Sequence, residues 1–392
     1  DTISVLFSSS KGVGSLCIAL LVDRGLISYH DLVAKHWPEF GRNGKENITV
    51  NILISHTAGL AYFDEPVTVE EAIDHRAISR KIELQRPNWN PVYHAITHGA
   101  VYHAITHGWL TDQLIRRVDP KKRSIGQFVH EEFHVAHGID LYFGLPDKKA
   151  VRVARHFHPN STESPPDPDN LRDLLEALQN ATDSANGTSP LHSADALRAL
   201  LVAPWLQFGN HITVNNPDLW KIEYAGGLGI ANAKSLARLY DLIVRQKLIS
   251  AATLSLLQER HTNGDLGSAD FEAGLAFSTL DRAGTKFLIG HEGFGCQQSF
   301  MDVVNEIAIA YTTNGLKNSP GECEIWKGLR DAIYDTKFLI GHPGLGCQQA
   351  FMDVGNEIAI GYTTNGLKNS LGECEVWRGL RDVIYDVVEE RS

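Results

Sequence analysis

The apolar positions near the start of the chain have the spacing of a buried helix. Within residues 5–21, VLFSSSKGVGSLCIALL, the apolar side chains recur three or four positions apart, at Val13, Leu16, Cys17, Leu20 and Leu21. This period is typical of a helix that packs one face against a core. The pattern predicts a helix that begins near the serine triplet at residues 8–10.

The rest of the pattern alternates helical and extended segments around one polar stretch. Residues 48–60 read as a short helix broken by Gly59, and residues 194–201 and 231–248 also read as helices. Residues 271–278 read as one strand. Residues 159–190 are rich in Pro, Ser, Asp and Asn, which predicts a long surface loop that is partly disordered.

Two internal duplications set the domain organisation that we expect. Residues 92–99, VYHAITHG, recur at 101–108, and residues 285–335 recur at 336–386 with nine differences. Each long copy reads as strand, strand, strand, helix, which in the first copy falls at 286–290, 298–303, 307–312 and 322–334. We therefore expect three parts. The expected parts are a mostly helical part with the opening helix at 1–270, a sheet unit with a helix at 271–335, and its tandem duplicate at 336–392.

Composition narrows the classes of partner. The 392 residues carry a net charge of −11, and no basic stripe is present, which argues against nucleic acid or an anionic membrane as the main partner. No apolar run is long enough to cross a bilayer. Four of the five cysteines belong to the long repeat and no CxxC occurs, which favours a reducing compartment.

Ser8 and Lys11 form the one Ser-x-x-Lys in the chain. Residues three apart lie on one face of a helix, so the Ser8 hydroxyl and the Lys11 amine can meet. A serine needs a base to become a nucleophile, and a lysine serves as that base when burial depresses its pKa. The alternative interpretation is a serine-rich helix cap followed by a solvated lysine.

The surroundings of this motif resemble a known family. FSSSKGV at 7–13, followed by LISHTAGL at 53–60, is similar to the serine β-lactamase and penicillin-binding-protein superfamily, in its class C and esterase-like branch. The resemblance continues through 102–128 and 226–240 and resumes near the end of the chain. It implies an α+β fold of the β-lactamase/transpeptidase type, with an antiparallel sheet flanked by helices, an all-helical domain, and the site between them.

The resemblance also implies a difference in the sheet. The family has a helix and two strands before Ser-x-x-Lys, whereas seven residues precede Ser8 here. We therefore expect a sheet that lacks its two N-terminal strands. The duplicated strand-helix unit would supply up to three extra strands. Open sheet edges of this kind make self-association a candidate property.

Two further motifs are implied by the resemblance. The family's Tyr-x-Asn corresponds to Tyr102-His-Ala104, or to its duplicate that begins at Tyr93, and alanine replaces the asparagine in both. The resemblance implies that a tyrosinate at this position is a general base for Ser8, and we favour Tyr102. The missing amide would hold Lys11 and a substrate carbonyl, which disfavours efficient β-lactam turnover.

The third motif occurs twice, once in each long copy. It is His291-Glu-Gly293 in the first copy and His342-Pro-Gly344 in the second. The family uses this strand to orient a substrate and to complete the oxyanion hole, which implies the N–H of Phe294 or Leu345 together with that of Ser8. We favour the first copy, because short connections join neighbouring strands.

These motifs together predict a serine hydrolase that forms an acyl-enzyme on Ser8 with a small-molecule ester or amide. Esterase or peptidase activity is favoured over strong β-lactamase activity, and no cofactor or metal is implied. One alternative is a catalytically inactive binding or assembly module of the same fold. Another is a zinc site, because HEEFH at 130–134 matches H-E-x-x-H, although no third ligand follows at a set spacing.

Overall fold

We analysed a computed structural model of the chain, which falls into two compact units, Asp1–Asn318 and Ser319–Ser392. In the first unit the structure describes residues 2–91, 102–158, 198–207, 212–259, 270–272, 274–279 and 287–316. In the second unit it describes 323, 325–326, 330, 340–344, 348–353 and 358–362. The three-part division expected from the sequence stays a prediction.

The helices of the described residues precede most of the strands in the chain. They are α1 Ser9–Asp23, α2 Val33–His36, α3 Val50–Ile54, α4 Val69–Ile73, α5 His75–Leu84, α6 Thr106–Val118, α7 Ile125–Val129, α8 Ala233–Val244 and α9 Ala251–Leu256. Short 3₁₀ turns lie at Pro38–Phe40, Asp147–Arg152, Thr213–Asn215 and Leu219–Lys221, and a π-helix at His130–Val135 follows α7. None of these helices is both long and apolar enough to span a bilayer.

Antiparallel strands form two sheets in the first unit. A small sheet has the order β1-β3-β2, from Ser4–Val5, Ile230–Ala231 and Leu141–Tyr142. The larger sheet follows chain order, β4-β5-β6-β7-β8. Its strands are Asp270–Glu272, Leu275–Thr279, Phe287–Gly293, Gln297–Asp302 and Ile307–Tyr311. The predicted strands of the first long copy are thus confirmed.

The predicted single strand at 271–278 is wrong in one respect. The segment is a hairpin of β4 and β5, in which Glu272 pairs with Leu275. Gly274 makes the turn with a φ of +75°, a left-handed conformation that glycine adopts without steric cost. A period-two pattern cannot distinguish a strand from two short strands when a glycine lies between them.

Both faces of the larger sheet are covered, and helices α1 and α8 lie on one of them, where Tyr240 of α8 approaches Gly12 of α1 and Ser299 of β7. All six residues of β7 are buried, and since successive side chains of a strand point to opposite faces, both faces must be covered. Helices α1 and α8 both pack against β7. This is the helix-flanked antiparallel sheet that the resemblance implied.

Helix α1 lies at the centre of the first unit. Its residues are buried from Ser9 through Leu21, on every face and not on a single stripe. It contacts α6 on the helical side and β6 on the sheet side. A helix that is apolar all round is typical of a protein core, so the residues at its first turn are held rigidly.

The second unit contains a three-stranded antiparallel sheet of the order β11-β10-β9. The strands are β9 Ile340–Gly344, β10 Gln348–Asp353 and β11 Ile358–Tyr362. Asp353 pairs with Ile358 as Asp302 pairs with Ile307 in the first copy. The two copies therefore fold into the same strand arrangement.

Candidate active site

Ser8 and Lys11 meet at the start of α1. Phe7 has a left-handed φ of 47°, which turns the chain from β1 into the helix and leaves Ser8 partly exposed at the first turn. The Ser8 side chain makes no capping hydrogen bond. Its Oγ lies 3.0 Å from Lys11 Nζ instead. The capping interpretation of this serine is therefore wrong.

Lys11 is completely buried and is held by the backbone. Its Nζ donates to the Gly226 carbonyl at 2.6 Å, and it lies 5.1 Å from the centre of the Tyr102 ring. Burial lowers the pKa of Lys11 from 10.5 to about 7. A large share of this amine is therefore neutral near pH 7, so its lone pair can take a proton from Ser8.

Tyr102 reaches the same point from the loop before α6. Its hydroxyl contacts the Ser8 side chain and lies 3.3 Å from His291 Nε2. Burial raises the pKa of the Tyr102 hydroxyl above its ordinary value of 10. The tyrosine is therefore a protonated donor near neutral pH, and the geometry favours Lys11 over a tyrosinate as the base.

His291 lies on β6 behind Tyr102, with its side chain buried. Its Nδ1 is 2.6 Å from the Glu292 carbonyl, which can only accept, so Nδ1 carries the proton and Nε2 is left to accept from Tyr102. Burial, and next the nearby Lys11, lower the pKa of His291 to about 3. The histidine is thus neutral, and both ring nitrogens face protein groups.

Three more histidines support the tyrosine from the helical side. The His56 ring lies 4.5 Å from that of Tyr102, and its Nδ1 accepts from the His103 backbone N–H at 3.1 Å. His107 stacks on His56 at 4.7 Å and contacts the Ile54 carbonyl through Nε2. Burial lowers the pKa values of His56 and His107 well below 6.5. Sequence reasoning did not assign these residues, although LISHTAGL and YHAITHG contain them.

The end of β6 lies against the start of α1. A Cβ on Gly293 would come within 2.3 Å of the Leu6 carbonyl oxygen and 3.0 Å of the Ser9 nitrogen. Only a residue without a side chain allows this approach. Phe294 follows directly, and its ring lies 5.7 Å from that of Phe7. The backbone N–H groups of Ser8 and Phe294 are therefore candidates for one oxyanion hole.

The other two serines of the triplet have structural partners. Ser9 Oγ donates to the His291 carbonyl at 3.1 Å, and Ser10 Oγ accepts from the Gly229 N–H at 2.9 Å. Both residues are fully buried. They tie α1 to β6 and to the segment before β3, and neither is placed as a nucleophile.

Several predicted site residues are not brought to this point by the described structure. Tyr93 and Leu345 lie outside the described residues. His342 and Gly344 belong to β9 of the second unit, where only the backbone is described. The choice between the two copies therefore stays a prediction, and the first copy is the one whose histidine contacts Tyr102.

The HEEFH segment has the contacts of a surface helix. Glu131 pairs with Lys121 and Arg123, and Glu132 pairs with Arg24 and Arg123. His134 Nδ1 contacts the Ile139 carbonyl. Among the described residues, no group of three or more His, Cys, Asp or Glu side chains is arranged to hold a metal ion. The glutamates are engaged by cations, and this arrangement does not support the zinc interpretation.

Comparison with known proteins identifies the family. The family model described as Beta-lactamase matches residues 1–334. The chain belongs to the Beta-lactamase family. The family and the fold class predicted from the sequence motifs are both confirmed.

Individual members of the family range from penicillin-binding homologues to esterases. The chain is 26% identical over 332 residues to Esterase/beta-lactamase LipL of Mycobacterium tuberculosis, which covers 81% of this chain and 70% of that protein. A crystal structure of a penicillin-binding protein homologue from Caulobacter crescentus is 27% identical, with a TM-score of 0.64, and covers 81% of this chain and 79% of the other.

A family VIII carboxylesterase structure has a TM-score of 0.66 at 23% identity and covers 81% of this chain and 79% of the other. At this identity the likeness concerns the fold alone. Together with the family match, the esterase relative confirms that the chain is a serine hydrolase of the Beta-lactamase family.

Proposed function

We propose that this protein is an esterase that forms an acyl-enzyme on Ser8 with small carboxylic ester substrates. The observation that carries the proposal is the 3.0 Å contact between the partly exposed Ser8 Oγ and the buried Lys11 Nζ. A buried amine with a pKa lowered to about 7 is a base matched to neutral pH. The names of the esterase relatives agree with this substrate class.

The acylation step follows from the roles of three side chains. Neutral Lys11 takes the proton of Ser8 as Oγ attacks the ester carbonyl carbon, and the carbonyl oxygen becomes an oxyanion. The N–H groups of Ser8 and Phe294 stabilise that charge, a contribution of several kcal/mol in related sites. The tetrahedral intermediate then collapses, and the alkoxide leaves with the hydroxyl proton of Tyr102.

Deacylation reuses the same groups. The Lys11 ammonium returns its proton to the Tyr102 oxygen, which lies beside it across the Ser8 side chain. Neutral Lys11 then activates a water that attacks the acyl carbonyl. The acid leaves and the proton returns to Ser8 Oγ, so that each turnover consumes one water and no cofactor.

Two features favour an ester over a β-lactam. β-Lactams carry a carboxylate, but His291 is neutral, with its two ring nitrogens on Glu292 and Tyr102. His291 therefore supplies no cation to the carboxylate of a β-lactam. We assign it the role of positioning Tyr102, without contact to the substrate. The second feature is Ala104, which stands where the family's Tyr-x-Asn has its asparagine. The Gly226 carbonyl holds Lys11 in place of that asparagine's amide.

The experiment compares substrates and serines. The full chain should hydrolyse p-nitrophenyl acetate or butyrate and turn over nitrocefin at least about 10²-fold more slowly, the scale of one lost substrate anchor. Ser8→Ala should abolish ester hydrolysis, whereas Ser9→Ala and Ser10→Ala should retain much of it in the folded fraction. A chain that binds but never turns over either substrate would support the inactive-module alternative instead.

A further inference from the structure

A cleft outside the active site is lined by an unusual concentration of cations. It has a volume of about 470 Å³ and lies between α5 and the C-terminal half of α6. Five basic side chains line it, and they are Arg76, Arg80, Arg116, Arg117 and Lys122. One carboxylate, that of Glu83, faces them. The cleft is therefore locally basic although the whole chain is acidic, with a net charge of −11.

The floor of the cleft is rigid. The Arg117 guanidinium donates to Ser79 Oγ at 2.6 Å and to Gln113 Oε1 at 2.8 Å, and it lies 3.9 Å over the Trp37 ring. Glu83 accepts from Trp37 Nε1 at 2.8 Å and from Ser79 Oγ at 2.7 Å. Because Glu83 and Arg117 are themselves 3.3 Å apart, the one lining carboxylate is used within the floor.

The basic side chains of the walls differ in whether a described carboxylate pairs with them. Arg116 pairs with Asp112 and Glu223. Arg76, Arg80 and Lys122, in contrast, are exposed, and none of the three forms an ion pair with any described residue. Lys122 Nζ donates to the Arg117 carbonyl, which fixes its position at the rim.

Arg76 and Arg80 also repel one another. They lie four residues apart on α5, where like charges destabilise a helix. Neither arginine forms an ion pair with a described carboxylate that would offset this repulsion. A bound anion would offset it, and guanidinium groups match the geometry of phosphate oxygens.

We propose that this cleft binds a small polyanion, namely a molecule that carries phosphate or sulfate groups. A concave site of this volume falls in the range of small-molecule pockets, whereas nucleic acids are bound along extended basic surfaces. The cleft is built from α5 and α6 and contains none of the residues that we assign to hydrolysis. The proposal therefore stands or falls independently of the esterase activity.

Calorimetric titration of the full chain with inorganic pyrophosphate at low ionic strength tests the proposal. We expect saturable binding of one pyrophosphate per chain that weakens at least tenfold in Arg76→Ala/Arg80→Ala. The matched control is Arg238→Ala, which removes an exposed arginine of α8 that pairs only with Asp241 in the described structure. The control should bind as the unmodified chain does, and so should Ser8→Ala.

Three results would overturn the proposal. One is the absence of saturable pyrophosphate binding. Another is binding by the double variant that equals binding by the unmodified chain, when the circular dichroism and urea midpoint of the variant match those of the control. The third is binding of a single-stranded oligonucleotide through the same arginines far more tightly than pyrophosphate, because the site would then serve a nucleic acid. If the double variant fails to fold, Lys122→Ala at the rim replaces it as the test. This variant should also weaken pyrophosphate binding.

Discussion

At the scale of single residues, the charge state of Lys11 decides the chemistry. The amine is buried against the Gly226 carbonyl and beside the neutral ring of His291, with no carboxylate within ion-pairing distance among the described residues. Its ammonium form is therefore disfavoured, and burial lowers its pKa to about 7. The enzyme needs this group neutral in order to accept the Ser8 proton.

The pH dependence of hydrolysis follows from the charge state of Lys11. We expect kcat/KM for p-nitrophenyl butyrate to rise as pH increases and to level off above a midpoint near 7, where Lys11 loses its proton. Tyr102→Phe should lower the rate by about 10²-fold and leave that midpoint in place. A midpoint that disappears in Tyr102→Phe would show that the tyrosine, and not Lys11, is the base.

His291 offers a test of a positioning role. His291→Ala should lower kcat about tenfold while changing KM little, because the ring orients the Tyr102 hydroxyl and does not contact substrate. His291→Gln, whose amide oxygen accepts a hydrogen bond, should recover part of kcat. A large rise in KM with unchanged kcat would return His291 to the substrate-binding role that the sequence suggested.

At the scale of elements, the site depends on how closely β6 approaches the first turn of α1. Gly293 permits this approach, and the hydroxyl of Ser9 adds a bond from the helix to the carbonyl of His291 on the strand. The nucleophile is on the helix and the second oxyanion donor is at the end of the strand. Their separation is therefore set by packing between the two elements.

Gly293→Ala tests this packing. The added methyl would meet the Leu6 carbonyl oxygen, so the strand must move from the helix, and we expect kcat/KM to fall about 10²-fold or more through loss of the oxyanion donor. The control is Gly25→Ala, where an added Cβ has no neighbour within 4 Å. Its φ of +67° makes alanine cost stability there, which lowers the folded fraction but not the activity of the folded enzyme. Equal losses of activity in the two variants would contradict the argument.

Elements with a strong local signal were predictable from the sequence. The helix after Ser8 has a sustained apolar pattern, and the strands of the first long copy have alternation bounded by glycine, so both were found. The hairpin at Gly274 was missed because its two strands are too short to show a period of their own. The contacts of Lys11 with Gly226 and of His291 with Tyr102 join residues 215 and 189 positions apart, and no local pattern encodes them.

At the scale of the whole molecule, buried neutral histidines link stability to pH. Burial lowers the pKa values of His56 and His107 well below 6.5, that of His156 to about 4 and that of His291 to about 3. In the unfolded chain these groups bind protons below about pH 6.5, whereas in the folded chain they stay neutral until the pH reaches their lowered pKa values. Protonation therefore favours the unfolded state as pH falls below that value.

The expected result is a loss of folding free energy that begins near pH 6.5 and continues as pH falls toward the folded-state pKa values. Each such histidine contributes a loss of about 1 kcal/mol between pH 7.5 and 5.5. Urea unfolding at these two pH values measures this loss, and His156→Phe, which removes one such group beside Phe7, should reduce the difference. Exposed His137→Gln is the control and should leave the difference unchanged. A urea midpoint that does not move between the two pH values would contradict this assignment.

The central claim is that Ser8 carries the acyl group, and covalent labelling tests it most directly. The full chain is treated with a fluorophosphonate or with a slowly hydrolysed p-nitrophenyl ester, and the modified peptide is located by mass spectrometry. The account predicts one label per chain, on Ser8, formed faster as pH rises through 7 and lost in Ser8→Ala but not in Ser9→Ala. A label on another residue, or equal labelling of Ser8→Ala, would contradict it.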